Sequence, residues 1–298
     1  MKLGYVGNAF SSTGCKPDKS FRLTSYNREK LFSTVKSNLE CILKTLEFNQ
    51  RNELLYYRIA DFIPFASHPV SLALKEILDF FQDELDEIGA YIRKHSFRIA
   101  MHPGQYTILN SPRKEVVDNA TKELLYNTLV LDRMGLNSTA KVQIHVGGVY
   151  GEKSTAIRRF IRNYLKMPSN IQNRLAIEND DRLFDLQDCL TIHKAIKIPV
   201  IFDVFHHSIK NNNEDVVQAI QQAQETWEEA FDGILMLDWS SQQPESKAGK
   251  HANSIDISRF QAFIQLTRNF DFDIMLEIRD KEQSALKAIK VLRDNERI

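Results

Sequence analysis

The sequence predicts an α/β fold, a single-domain (β/α)8 TIM barrel over residues 1–298, and three observations carry that prediction. Eight short runs rich in Val, Ile, Tyr and Phe have the length and composition of buried strands. Between them lie stretches whose apolar residues recur at i, i+3 or i+4 and i+7, the stripe a helix buries against a sheet. The alternation runs from end to end without a linker, repeat or low-complexity segment, and eight such units suggest a closed parallel barrel rather than an open sheet.

In order, the strands are expected at residues 3–6, 55–59, 97–101, 142–146, 175–177, 199–205, 234–237 and 274–278. The turn after the first reads Gly4-Tyr5-Val6-Gly7-Asn8, which is not the GxGxxG turn of a dinucleotide-binding open sheet. The first long helix is expected over 29–48, where Leu31, Val35, Leu39, Ile42, Leu43 and Leu46 form one stripe. The second, over 71–94, carries Leu72, Ile77, Leu78, Phe81, Leu85, Ile88 and Ile92. Helices over 114–134, 154–166, 186–195, 216–229, 258–268 and 281–295 follow the same pattern, the last with a largely polar surface.

Composition bounds the function. With 43% hydrophobic and 26% charged residues, the chain is an ordinary globular one, which excludes disorder, collagen-like repeats and coiled coil. Its 39 Lys+Arg balance 39 Asp+Glu, so net charge gives no hint of nucleic-acid binding, although only a contact face needs a basic excess. Cys15, Cys41 and Cys189 are odd in number, far apart and without a CxxC pair. A disulfide framework and a thiolate zinc site are therefore not expected, and a reducing compartment is. No apolar run approaches the roughly 18–20 residues of a membrane span, and the MKLGYVGNAF start lacks a signal-peptide core, so a cytoplasmic protein without membrane contact is expected.

Active sites of this barrel lie at the C-terminal ends of the strands. Six of the eight histidines fall there: His68 after strand two, His102 ending strand three, His145 ending strand four, His206 and His207 after strand six, and His251 in the loop after strand seven. His95 and His193 lie elsewhere and are explained by packing. Carboxylates join the rim: Glu178 ending strand five, Asp203 on strand six, Asp238 ending strand seven and Glu277 ending strand eight. A single histidine or carboxylate at a strand end is most simply a hydrogen-bonded structural residue or a helix cap. Five or six imidazoles and four carboxylates on one ring would instead leave buried charges in mutual repulsion, which divalent cations relieve by giving each a ligand bond. A mixed nitrogen and oxygen set without sulfur suits zinc, manganese or iron, and it exceeds what one ion takes, implying two or three ions with a bridging carboxylate. Clustered ions suit phosphodiester hydrolysis, because one lowers the pKa of a water toward roughly 7 while others neutralise phosphate oxygens and the departing alkoxide.

The stretch Gly147-Gly148-Val149-Tyr150-Gly151-Glu152-Lys153-Ser154 imitates a phosphate-binding loop, but Glu152 stands where GxxxxGK[ST] requires glycine. Its helix-start amides, with Lys153, Arg158 and Arg159, are either a nucleic-acid backbone contact or a solvated helix start.

IPFASHP, MHPGQY, IHVGGVYGEK, LAIENDD, DVFHH and the SSQ…H stretch resemble the UV damage endonucleases over nearly the whole chain, and more distantly endonuclease IV, another barrel with three metal ions. The resemblance implies a DNA repair endonuclease that nicks double-stranded DNA immediately 5′ to cyclobutane pyrimidine dimers and 6–4 photoproducts, leaving a 3′-hydroxyl and a 5′-phosphate. It implies Mn2+ foremost, with Zn2+ or Mg2+ as alternatives, and a monomer. By the same resemblance His68, His102, His145, Glu178, Asp203, His206, Asp238, His251 and Glu277 are metal ligands. Glu178, as the bridging carboxylate, Asp203 and Glu277 are the expected catalytic carboxylates. Gln105 and Tyr106 probe the lesion, with Tyr5, Asn8 and Lys153 as further DNA contacts. An aromatic can fill the space left by unstacked bases and an amide can satisfy their edges. At strand seven some relatives carry a modified lysine followed two residues on by a histidine ligand; here these positions read Met236 and Asp238. An aspartate there shifts metal preference from zinc toward manganese or magnesium. Two rivals are an abasic-site endonuclease of the endonuclease IV type, which would ignore dimers, and a sugar isomerase on the same barrel, which would want a lysine in the pocket and no MHPGQY loop.

Overall fold

The structure is a computed structural model, and it describes residues 1–69 and 71–298. Eight parallel strands close a barrel in sequence order: β1 (Leu3–Tyr5), β2 (Tyr56–Ile59), β3 (Arg98–Met101), β4 (Lys141–His145), β5 (Leu175–Glu178), β6 (Val200–Asp203), β7 (Leu235–Trp239) and β8 (Phe272–Leu276). β1 pairs with both β2 and β8, so no edge is left open. The helices wrap the outside, and a large apolar core fills the space between them and the sheet.

All eight expected strands are present, with small shifts. Strand six is shorter than expected, because residues 204–205 already belong to the short helix Val204–Ile209. The Asp203 side chain caps that helix by accepting from the His206 amide at 2.7 Å. Strand eight lies two residues earlier, so Glu277 sits just past its end. The stripe over 71–94 is divided at Phe81 into helices Leu74–Phe80 and Gln82–Lys94, and that over 216–229 stops at Gln224. Periodicity continues across such breaks, which is why it hides them.

The cysteine expectation is corrected. Cys15 and Cys41 form a disulfide, tying the segment after helix Phe10–Thr13 to helix Arg28–Arg51, while Cys189 is buried and free. With partners 26 residues apart no local spacing marks the pair; tertiary proximity creates it. Closing a loop of this size restricts the unfolded chain by about 3–4 kcal/mol. Among the described residues, no helix is long and apolar enough to cross a membrane.

Candidate metal centre and DNA-facing rim

Strand phase builds the site. Successive strand residues point to opposite faces, so i and i+2 share the barrel interior. Tyr56, Ala100, Ala176, Ile201, Met236 and Met275 form a small apolar cluster separate from the main core. Two residues further along each strand direction come Arg58, His102, Glu178, Asp203, Asp238 and Glu277. Gln143 and His145 repeat the spacing on β4. One apolar layer therefore carries a polar layer directly above it.

Glu178 is its centre. The side chain is 1% exposed, and Oε2 lies 3.4 Å from His102 Nε2 and 3.7 Å from His145 Nε2. Oε1 lies 3.1 Å from His206 Nδ1, which is also 3.2 Å from Asp203 Oδ2. Two groups thus bring ligand-capable atoms within 4.8 Å of one another: His102, His145 and Glu178, and Glu178, Asp203 and His206. They share Glu178, the residue expected to bridge.

The donor set fits divalent ions. Nδ1 of His102 lies 3.0 Å from the Pro103 carbonyl and Nδ1 of His251 lies 2.8 Å from the Glu277 carbonyl. A carbonyl only accepts, so these nitrogens carry hydrogen and Nε2 keeps its lone pair, the usual outer support of a ligating histidine. Nδ1 of His206 lies 3.0 Å from the Asn179 carbonyl but also beside the Glu178 and Asp203 carboxylates, so that carbonyl alone does not set its tautomer. Asp203 Oδ2 is buried and accepts no hydrogen bond, and buried His145 Nδ1 has no hydrogen-bond partner among the described residues. A cation would give such orphaned atoms a partner.

Charge says the same. Burial opposes ionisation of Glu178, yet His145, His102 and His206 hold its carboxyl well below the usual range. Asp203 is pushed well above its range by burial, against the pull of His206 and with the repulsion of Glu178, Glu277 and Asp238. Burial works against a charged His206, but Asp203 foremost and Glu178 push it up to about 11. Burial raises Asp238 to about 7 despite Arg58. Without ions, protons gather on the ring to offset its excess negative charge.

The remaining expected ligands are placed differently. Glu277 Oε1 accepts from Arg58 Nη1 at 2.5 Å, and His251 Nδ1 is 3.9 Å from Glu277 Oε2. His251 also packs its ring 5.9 Å from that of His206. Asp238 is fully buried and held by Arg58 and Gln143. His68 is exposed in the loop after β2 with its ring near Phe65, in neither triad. His207 turns away, its ring on Phe202 and Nε2 3.5 Å from Glu214. Sequence reasoning missed Arg58 and Gln143, which sit inside strands rather than at their ends; their signal is the i+2 phase from Tyr56 and from Lys141.

Around the mouth, Tyr106 is 81% exposed and Gln105 is exposed beside it. The base of that loop is stitched to the loop after β4. Asn110 donates to the Gly148 carbonyl at 2.9 Å and accepts from its amide at 3.2 Å, and Arg159 Nε donates to the Asn110 carbonyl at 2.8 Å. Gly147 adopts φ +112, and a Cβ there would meet Asn110 Oδ1 at 2.5 Å, so the junction needs glycine. Asn8 is buried with an unpartnered Oδ1.

One expected DNA contact is corrected. Tyr5 is 1% exposed with its hydroxyl on Asn49 at 2.7 Å, packed between sheet and helices rather than at the mouth, because its strand phase is opposite to that of Gly4. Lys153 is engaged by Asp188 at 2.7 Å. The helix-start amides of Ser154 and Thr155 donate to Glu152, whose carboxyl they and the two hydroxyls hold down at about 2, so a side-chain carboxylate already takes the anion's place there. A more open basic patch lies elsewhere: a cavity of about 670 Å³ beside His251, lined among others by Arg182, Lys247, Lys250 and Arg279.

The fold and its ring of histidines and carboxylates together define a parallel (β/α)8 barrel with a candidate metal site at its strand C-termini. Residues 1–298 match the family described as UV-endonuclease UvdE, and the chain belongs to that family: it is a DNA repair endonuclease whose substrate is DNA. It is 35% identical over 298 residues to the UV DNA damage endonuclease of Clostridium perfringens, covering 99% of this chain and 71% of that protein. It is 32% identical over 302 residues to the UV DNA damage endonuclease of Bacillus thuringiensis subsp. konkukian, covering 98% and 94%. The crystal structure of SacUVDE superposes over 100% of both chains with a TM-score of 0.93 at 44% identity. Endonuclease IV from Thermus thermophilus shares the fold, with a TM-score of 0.55 at 12% identity over 86% of this chain and 94% of that one.

Proposed function

We propose that this endonuclease acts as a monomer on double-stranded DNA, nicking immediately 5′ to cyclobutane pyrimidine dimers and 6–4 photoproducts and leaving a 3′-hydroxyl and a 5′-phosphate. The observation that carries the catalytic part is the pair of ligand triads sharing buried Glu178. His102, His145 and Glu178 would hold one divalent ion and Glu178, Asp203 and His206 another, with His68, His251 and Glu277 as further donors. Mn2+ is the ion the family resemblance favours, and the sulfur-free set of imidazoles and carboxylates is compatible with it as with zinc or iron. Such ions supply an activated water near neutral pH and neutralise charge on the phosphate.

The chain's own residues do the rest. The carbonyls of Pro103 and Glu277 fix the tautomers of His102 and His251. The exposed ring of Tyr106 fills the gap beside a distorted base step, and the Gln105 amide hydrogen-bonds the base edges freed there. Arg182, Lys247, Lys250 and Arg279 neutralise backbone phosphates next to the centre. Belonging to the UV-endonuclease family supports the choice of lesion.

The test is a duplex with one dimer at a known position, labelled at one end and incubated with protein and Mn2+. The expected product ends at the nucleotide 5′ to the dimer and is resealed by a DNA ligase, which joins only a 3′-hydroxyl to a 5′-phosphate. An intact dimer strand beside a cut abasic control would replace this reading with that of an abasic-site endonuclease.

A further inference from the structure

Asp238 stands where a ring of ligands leads one to expect another, yet the structure commits it to protein partners. Oδ1 accepts from Arg58 Nη2 at 2.8 Å, and Oδ2 accepts from the Gln143 amide nitrogen. The side chain has no exposed surface, and it joins neither ligand triad. Arg58 reaches from β2 across the barrel, donating also to Glu277 Oε1 at 2.5 Å and to Gln143 Oε1 at 3.0 Å. Gln143 completes the circuit by donating to Glu178 Oε2 at 2.6 Å. Below Asp238, Met236 is wholly buried in the apolar layer.

We infer that Asp238 is the counter-ion of Arg58 and not a metal ligand, and that Arg58 and Gln143 are positioning residues that aim Glu277 and Glu178 at the ions. A buried guanidinium needs an opposite charge beside it. Turning Asp238 toward an ion would strip Arg58 of its most buried partner and leave the Gln143 amide short of an acceptor. With Asp238 as its partner, Arg58 keeps acceptors at Nη1 and Nη2, its buried Nε alone lacking one among the described residues, while Glu277 Oε2 and the Glu178 carboxylate face the ions. Strand seven then contributes a fixed charge balance to the centre, and the ions are held by the other strands. The inference rests on the metal reading above.

The test counts Mn2+ per chain by mass spectrometry after loading and desalting, beside a Mn2+ titration and a thermal melt. Asp238→Asn is expected to keep the unaltered chain's ion count, with affinity within about threefold, whereas Asp203→Asn loses at least one ion. Arg58→Met alone should weaken Mn2+ binding about 10–100-fold and lower the melting temperature on the order of 10 °C, because Asp238 is left buried and unpaired. Combining Arg58→Met with Asp238→Asn should recover most of both losses. An ion lost in Asp238→Asn, or a double variant no better than Arg58→Met, overturns the inference while leaving the metal centre standing. Should Asp238→Asn not fold, the comparison of Arg58→Met with the double variant decides alone. An unaltered chain that retains no Mn2+ overturns the metal reading itself, and this inference with it.

Discussion

The two ends of the barrel both bury charged residues, and they balance them differently. At the N-terminal end, Lys141 pairs with Asp232 and donates to the Asn173 carbonyl at 3.1 Å. Arg98 donates to the carbonyls of Asp232 and Ile234 at 2.7 and 3.1 Å, and Asp273 accepts from the Lys2 amide at 2.7 Å. Burial pulls Lys141 down and pushes Asp273 up, but each faces an opposite charge. At the C-terminal end, Glu178, Asp203, Asp238 and Glu277 face a single buried arginine, Arg58. The first end is closed by its own residues and serves stability. The second carries a surplus of carboxylates that only protons or added cations can offset, and an enzyme can use that surplus where a scaffold has no need of it.

Four substitutions or additions test that contrast. The largest effect is expected from Glu178→Ala, which removes the residue common to both triads. Incision of a dimer-bearing duplex should fall on the order of 10³-fold, with circular dichroism unchanged. A variant that still cut within tenfold of the original would place the chemistry elsewhere. At the opposite end, Lys141→Met should cost about 3–5 kcal/mol in urea denaturation, because Asp232 is left buried without its partner. Incision per folded molecule should hold steady, and a selective loss of cutting would erase the division between the ends. Mn2+ at about 100 times its Kd should then stabilise the metal-stripped chain by about 2.7 kcal/mol. The gain should be absent in Glu178→Ala. The smallest effect belongs to the exposed probe: Tyr106→Ala should weaken binding to damaged duplex by about 1–2 kcal/mol and leave Mn2+ binding as it was. An equal loss on undamaged duplex would make Tyr106 a general contact instead of a lesion probe.

Most of this architecture was legible in the sequence because strand and helix periods repeat eight times and polar residues interrupt the strand pattern at one end. His102, His145, Glu178 and Asp203 announce themselves as polar residues closing apolar runs. Arg58 did not, since a long side chain inside YYRI reads as an ordinary strand residue until the inward phase is known. Gln143 hid likewise in KVQIH. Tyr5 was misplaced by proximity to the rim, because adjacent positions on a strand face opposite sides. The Lys153 partner, Asp188, comes from helix Leu186–Ile196, beyond strand five. The Cys15–Cys41 pair depends on contact between segments that no spacing rule joins. What escaped the sequence is what depends on side-chain direction or on partners distant in the chain.

The proposed function stands or falls on divalent ions that balance the carboxylate surplus at the C-terminal end and drive incision. Its most direct measurement is the incision rate of a single-dimer duplex by metal-stripped protein as Mn2+ is titrated in. The expected result is no nick in chelator and a saturable rise to a single nick 5′ to the dimer as ions bind. The same rate with chelator present, or an intact strand at saturating Mn2+, would contradict it.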